Sequence, residues 1–495
     1  MQSHTQSAQR HADLPAGKTR VVIAGGGLAG LAAATVLAER GVDCVLLESE
    51  TYLGGRAGAW PDRLADGTEF RMERGFHAFF RQYYGVRSLL QRVDPGLELL
   101  APMDDYPLLG PDGRRESFSN LPRRAPFNVV ELVRRTPTLK ARDLPRISGI
   151  HAAAMMAFDP ERTYARWDRV TASEYLDLLR FPPEARQMLF DVFAHSFFNP
   201  EDEYSAAELL AMFHFYFLGN PEGLVFDTMK RPFSAFFEPL GDYLRERGCD
   251  VRLGTPATRL ESTPSGGFVV EAGSERIAAS HVVLALSVPA LKQLVKASDE
   301  AFEPTLRARI DALGVTLPFA VWRLFLDRKV DPSRTPFAGT TGLGPLDNIS
   351  VYEKLEDESR AWSERTGGSI VELHAYAVDP TLSEAEIRAQ LLAGLHAAYP
   401  ETKEAKIVED RFLLRQDCPA FRPGDQSVRP TVETTRRNLF LAGDFVKLPF
   451  ASALMERAVT SGFMAANAIV VRLGTRPVDI RTIPQRGMLA GAPGL

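Results

Sequence analysis

Short β-branched runs alternate with longer alanine-rich or amphipathic stretches along much of the chain, which predicts parallel strands joined by covering helices. Residues 20–24 (Arg-Val-Val-Ile-Ala) predict a buried strand, and residues 31–40 an alanine-rich helix that ends at Gly41. Residues 42–47 predict a second strand, closed by Glu48. Apolar runs at 249–253, 254–260, 267–271 and 281–289 predict further strands, the last ending at Pro289. Residues 438–444 predict a strand that turns at Gly443-Asp444, and residues 452–466 a helix. Two more strands are expected at 320–326 and 370–377, then a helix from Ser383, where Glu386 completes a capping box. Glu372, His374 and Tyr376 would share one face of that second strand.

The first strand–helix junction carries chemistry. Gly25, Gly27 and Gly30 fit the pattern GxGxxG. Gly25 permits the tight turn, Gly27 lets backbone approach a pyrophosphate, and Gly30 lets helix and strand pack closely. The helix N-terminus offers free N–H groups and a partial positive charge to the same pyrophosphate, and Leu28 and Ala29 of the glycine turn are further cofactor-binding candidates. Glu48 follows Gly30 by 18 residues, near the spacing of an acid that binds ribose hydroxyls. An acid there disfavours a 2′-phosphate, so FAD or NAD is expected rather than NADP.

The chain has 495 residues, enough for about three domains at roughly 150 residues each. A hydrophobic share of 45% with 24% charged residues excludes a disordered or collagen-like chain. A net charge of -5 argues against a nucleic-acid partner. Cys44, Cys249 and Cys418 are scattered without CxxC spacing, so neither zinc nor a disulfide framework is expected. Residues 1–19 lack the apolar core of a signal peptide and read as a flexible N-terminus; residues 473–495, rich in proline and glycine, read as a flexible tail. No run reaches 18 apolar residues, which leaves a cytoplasmic location as the expectation. No metal-ligand cluster, nucleophile elbow or P-loop stands out.

Leu53-Gly54-Gly55-Arg56-Ala57, just beyond the second strand, resembles the flavin amine oxidase and phytoene desaturase superfamily. That resemblance implies FAD as cofactor, with Gly55 and Arg56 near its phosphates and Gly443-Asp444 at pyrophosphate and ribitol. It also implies backbone near Ala257 at the adenine, and Leu454 and Met455 at a helix N-terminus facing the flavin. The fold implied is α/β: a glutathione-reductase-type Rossmann FAD domain (20–100, 241–300 and 415–472) with an inserted α+β substrate domain (101–240 and 301–414). A narrower likeness lies in Arg74-Gly-Phe-His-Ala-Phe-Phe-Arg-Gln-Tyr-Tyr84, in Asp104-Asp-Tyr-Pro-Leu108 and in Ala453-Leu-Met-Glu-Arg-Ala458. These look like the isorenieratene synthase family, FAD-dependent β-carotene desaturase/methyltransferases. The resemblance implies aromatisation of a β-ionone ring with a 1,2-methyl shift, the hydride going to FAD and then to oxygen or a quinone. An acyclic carotene desaturase or isomerase, an amine oxidase, or a lipid-escort protein without redox activity are the alternatives.

The substrate side adds candidates. His77 could accept the proton released on aromatisation; Glu73, Tyr83, His195 and His214 are further acids or bases. Aromatic clusters at Phe193, Phe197, Phe198, Phe213–Phe217, Phe226, Phe233, Phe236 and Phe237 suit either a polyene tunnel or a helical core. Residues 121–150 carry Arg123, Arg124, Arg134, Arg135, Lys140, Arg142 and Arg146 against Glu131 and Asp143. With the apolar stretch 151–158 they predict a peripheral membrane contact.

Overall fold

The computed structural model describes residues 19–103, 105–191, 195 and 197–492. Asp104, Phe193 and the expected flexible N-terminus up to residue 18 lie outside them.

The β-branched run forms strand β1 (Arg20–Ala24), and the chain passes through the glycine turn into helix α1 (Leu28–Glu39) and back into strand β2 (Asp43–Leu47). The helix begins three residues earlier than its alanine run suggests, because extended Gly27 already serves as its N-cap. Strands β3 (Asp250–Arg252), β4 (His281–Leu284) and β5 (Leu439–Leu441) complete a parallel sheet in the order β3-β2-β1-β4-β5. That is the strand order of a dinucleotide-binding sheet. Helix α2 (Leu454–Arg472) follows β5 and packs along α1. The contact is close enough that a Cβ on Gly462 would lie 2.1 Å from the Ala29 carbonyl oxygen. An antiparallel sheet of Ala257–Ser262, Phe268–Ala272 and Glu275–Ala279 fills the connection between β3 and β4.

A second large sheet has seven strands, ordered Ile407–Arg415, Phe319–Leu326, Ser369–Ala375, Asn348–Val351, Phe337–Thr340, Leu108–Leu109 and Arg115–Glu116. All eight residues of Phe319–Leu326 are buried, which accounts for their continuous apolar and aromatic pattern around one arginine. Helices occupy much of the chain between residues 127 and 218. Asp159 caps Pro160–Trp167, a Thr171/Glu174 capping box opens Ala172–Leu179, and the expected Ser383/Glu386 box opens Glu384–Ala398. The helix Ala206–Phe213 continues into a π-helical turn, His214–Leu218, that turns aromatic side chains inward.

The tail departs from expectation. Residues 475–492 run back over the helical block: Ile483 is buried, the Pro484 carbonyl accepts from His214 Nε2 at 2.7 Å, and the amides of Gly487 and Leu489 donate to the carbonyls of Phe158 and Met156. Proline there removes helix and strand options without preventing docking. Among the described residues no helix is long and apolar enough to cross a membrane.

Candidate active site

The glycine motif and the second signature meet at the carboxyl edge of the parallel sheet. Gly25 has φ +107°, and a Cβ there would stand 2.3 Å from the Ala285 carbonyl oxygen. A Cβ on Gly30 would stand 1.8 Å from the Gly25 carbonyl oxygen, so α1 can start against β1 only with glycine at that position. Gly27 pairs with Gly54 in a short bridge, and a Cβ on Gly27 would meet nothing nearer than Gly55 Cα at 3.9 Å. Bare backbone therefore faces the space above the sheet.

That space is a cavity of about 740 Å³, toward the upper end of the range for small-molecule sites. Gly25, Gly27, Leu28, Ala29, Glu48, Gly55, Arg56, Ala257, Gly443, Asp444, Leu454 and Met455 all line it; Gly30 lies behind, in the helix–strand contact. Glu48 is oriented by its neighbours: Oε2 accepts from Gly26 N at 2.6 Å and Oε1 from Glu50 N at 2.8 Å. Arg56 donates to Asp444 Oδ1 at 2.6 Å. Burial would weaken the Arg56 charge, but Asp444 outweighs it and holds the guanidinium well above its usual range. At the start of α2, Leu454 takes φ +46° and Ala453 supplies no side-chain cap, so the positive end of the helix stays open to the cavity. The nearest acid, Glu456, turns away to accept from Gly85 N and Val86 N, and burial lifts its carboxyl to about 7.

The same cavity has an apolar limb, walled by Tyr106, Leu108, Phe118, Leu189, Leu224 and Phe226, which pack into two neighbouring apolar clusters. His77 also lines the cavity, edge-on to Phe233, with Nδ1 buried and unpartnered. Burial pulls its pKa down to about 4, so it is neutral at neutral pH. Tyr83 also reaches the cavity, its hydroxyl 2.6 Å from that of Tyr216. The other candidates do not line it. Glu73 is buried and accepts from Phe233 N, His195 pairs with Asp347, and His214 stacks on Phe158 under the C-terminal segment. The aromatic clusters divide: Phe197, Phe198, Phe217 and Phe226 line the cavity, whereas Phe213, Phe233, Phe236 and Phe237 pack the core.

Groups that the sequence pattern left unassigned complete the wall. Asn348 and His374 come from the seven-stranded sheet, and Asp347 and Tyr376 flank their strands; Asn348 is in register with His374 and Arg323 with Glu372. The shared face of Glu372, His374 and Tyr376 was the only local signal. Glu372 Oε2 accepts from Arg323 Nε at 2.8 Å; Oε1 accepts from Tyr352 Oη at 2.9 Å and lies 2.8 Å from His374 Nε2. Three buried carboxyls surround Arg323. Burial raises Glu73 well above the usual range and Glu356 to about 7. Burial would raise Glu372 too, but Arg323 and His374 outweigh it and hold it at about 2. Glu372 is thus the one held fully ionised at neutral pH.

The basic segment also differs from expectation. The apolar stretch 151–158 is half-buried, with Met155 and Phe158 in the core. The exposed apolar side chains lie within the basic segment itself: Phe127 (68% exposed), Val130 (62%), Leu144 and Ile150. The helix Phe127–Arg135 turns Leu132 the other way, against the cluster of Leu108, Phe118 and Leu224 that walls the apolar limb.

Comparison with known proteins matches residues 28–470 to the family described as flavin containing amine oxidoreductase. The chain is 46% identical over 484 residues to a carotenoid phi-ring synthase of Streptomyces griseus, covering 96% of this chain and 94% of that one. It is 28% identical to a carotenoid phi-ring synthase of Chlorobaculum tepidum, over 95% of this chain and 91% of the other. Among solved structures, cyclohexylamine oxidase from Brevibacterium oxydans superimposes with a TM-score of 0.67 at 17% identity, covering 92% of this chain and all of that chain. The bare glycine cradle, the open helix end and the Arg56–Asp444 salt bridge fit FAD.

Proposed function

The chain belongs to the flavin-containing amine oxidoreductase family, and on that footing we propose that this FAD-dependent oxidoreductase aromatises the β-ionone rings of a carotenoid, moving one ring methyl to the neighbouring carbon. The product would carry φ rings, as the names of its relatives in Streptomyces griseus and Chlorobaculum tepidum suggest. The observation that carries this reading is the continuity of one cavity from the glycine cradle into the apolar limb.

In this reading residues 20–100, 241–300 and 415–472 hold FAD, and residues 101–240 and 301–414 hold the polyene. The backbone of Gly25 and Gly27 would take the pyrophosphate, Glu48 the ribose hydroxyls, Arg56 with Asp444 the phosphate–ribitol side, and the α2 N-terminus at Leu454 and Met455 the isoalloxazine. FAD supplies hydride acceptance. The aromatic limb excludes water and fixes the ring end of the polyene by buried contact. A charge that develops along the polyene meets no competing cation there, because the limb-lining side chains are uncharged.

The substrate dissolves in bilayers, since each CH₂-sized unit gains roughly 0.8 kcal/mol on leaving water. We further propose that Phe127 and Val130, flanked by Arg134 and Arg135, seat the helix Phe127–Arg135 on an anionic bilayer over the apolar limb. Exposed apolar side chains amid basic ones support that placement.

The test of the main reading is expression in a β-carotene-producing bacterial host, with chromatography and mass spectrometry of the pigments. A product lighter by four or eight hydrogens, eluting with a φ-ring standard, is expected. Unchanged β-carotene beside soluble yellow protein would refute the substrate and leave the flavin assignment intact.

A further inference from the structure

The mechanism above needs a proton acceptor. Each aromatising oxidation breaks two C–H bonds of the ring. One leaves as hydride to FAD; the electron pair of the other stays to form the new C=C bond, and its proton must go to the protein. His77 is poorly suited to take it, being buried without a carboxylate partner.

The opposite wall has such a partner. Arg323, Glu372, His374 and Tyr376 form a line across paired strands, from the interior of the sheet to the cavity surface. Ionised Glu372 can only accept, so His374 Nε2 carries a hydrogen and donates to Oε1 at 2.8 Å. That contact is shorter than the 3.4 Å approach of the Phe76 amide to the same nitrogen and leaves Nδ1 as the acceptor, on which Asn348 Nδ2 also lies at 3.2 Å. Tyr376 Oη donates to Nδ1 at 2.9 Å, and its own oxygen accepts from Asn348 Nδ2 at 2.9 Å. The Tyr376 ring is held edge-on to Phe198, with centroids 4.6 Å apart. The His374 ring is seated against Gly75, where a Cβ would stand 2.5 Å from the imidazole. Both groups are therefore positioned before any substrate arrives.

We propose that Tyr376 and His374 are the proton relay of the aromatisation, with Glu372 as the positioning residue. Tyr376 Oη takes the ring proton while passing its own to His374 Nδ1, and the imidazolium formed is stabilised by the Glu372 carboxylate. Arg323 keeps that carboxylate charged without reaching the cavity itself. His374 would release the proton to water once the product has left; bound FAD would supply the hydride acceptance, with oxygen or a quinone as the final oxidant. This inference rests on the carotenoid reading.

The test compares wild-type holoenzyme with Tyr376→Phe and His374→Gly on β-carotene in vesicles. Tyr376→Phe deletes one oxygen and keeps the ring on Phe198. We expect kcat to fall about 10²–10⁴-fold, the range of general-base catalysis, with FAD content and KM unchanged. His374→Gly should fall similarly and recover in part with added imidazole or small amines, more so with the more basic ones. Full turnover by Tyr376→Phe would overturn the relay alone. So would a His374→Gly enzyme that keeps its FAD, is inactive, and responds to no amine. A wild-type enzyme that binds FAD but leaves β-carotene unchanged removes the carotenoid reading and the relay together.

Discussion

Replacing Arg323 with methionine tests how the buried carboxylate is held. Arg323 is 2% exposed and Glu372 is fully buried, with 2.8 Å between Nε and Oε2. The guanidinium also donates to the Arg71 carbonyl at 3.2 Å and lies 3.9 Å over the Tyr352 ring. Methionine keeps the length of the stem and removes the charge, leaving Glu372 with Tyr352 and His374. Removing one partner of a buried ion pair costs about 3–5 kcal/mol. Exchanging both residues for methionine removes the stranded charge as well, and such double exchanges are often neutral or stabilising by about 1–4 kcal/mol. The double variant should therefore be more stable than Arg323→Met. The pH dependence separates the two further. In the wild type the folded Glu372 carboxyl, at about 2, lies below its unfolded value of about 4.3. Its stabilisation is complete above about pH 4.3 and is lost as the pH falls through about 2. In Arg323→Met burial prevails and the folded value rises above the unfolded one. Stability is then fullest below about pH 4.3 and declines as the pH climbs through the new folded value, so the deficit relative to wild type widens toward neutrality. Urea unfolding of the holoprotein in excess FAD, from about pH 4 to pH 7.5, measures this. A single variant within about 0.5 kcal/mol of wild type at every pH, or a deficit that shrinks with rising pH, would refute the reasoning.

Gly30→Val should yield protein without flavin absorbance, because even a Cβ lies 1.8 Å from the Gly25 carbonyl oxygen and α1 must leave β1 to admit it. Phe127→Asp with Val130→Asp should abolish flotation with anionic vesicles while the purified protein keeps its FAD; equal flotation would remove that helix from membrane docking. Truncation after Gly474 should lower the thermal midpoint, since the loss of Ile483 alone forfeits about 1.5–3 kcal/mol of apolar burial. An unchanged midpoint would mean the docked tail adds no stability.

Local signals were legible in the sequence. The turn at Gly25, the close packing at Gly30 and the acid at Glu48 are close neighbours whose spacing alone specifies a strand–turn–helix–strand unit, though not the helix start at Leu28. The Ser383/Glu386 box is local in the same way. What was not legible depends on pairing between distant strands. Nothing near Asn348 or Arg323 signals that register sets them beside His374 and Glu372. The histidines illustrate the same limit. His214 lies amid aromatics yet binds the tail, and His374, with a far weaker local pattern, reaches the cavity. Proline-rich composition likewise signalled irregular backbone after residue 473, but not the hydrogen bonds that dock it.

The interleaved order of the parallel sheet has a consequence for synthesis. β1 is the central strand, yet β4 and β5, on one side of it, are made much later, and α2, which covers α1, later still. At about 5–20 residues per second, roughly 20–90 s separate the emergence of β1 from that of α2. Until then the face of α1 that α2 covers has no partner, and the cradle lacks Asp444, Leu454 and Met455. Nascent chains thus spend that interval with an exposed apolar helix and an incomplete cofactor site, a state suited to a chaperone. Flavin colour in a cell extract would then report chains finished to their last helix, and slow codons ahead of residue 439 would lengthen the exposure without altering the final fold.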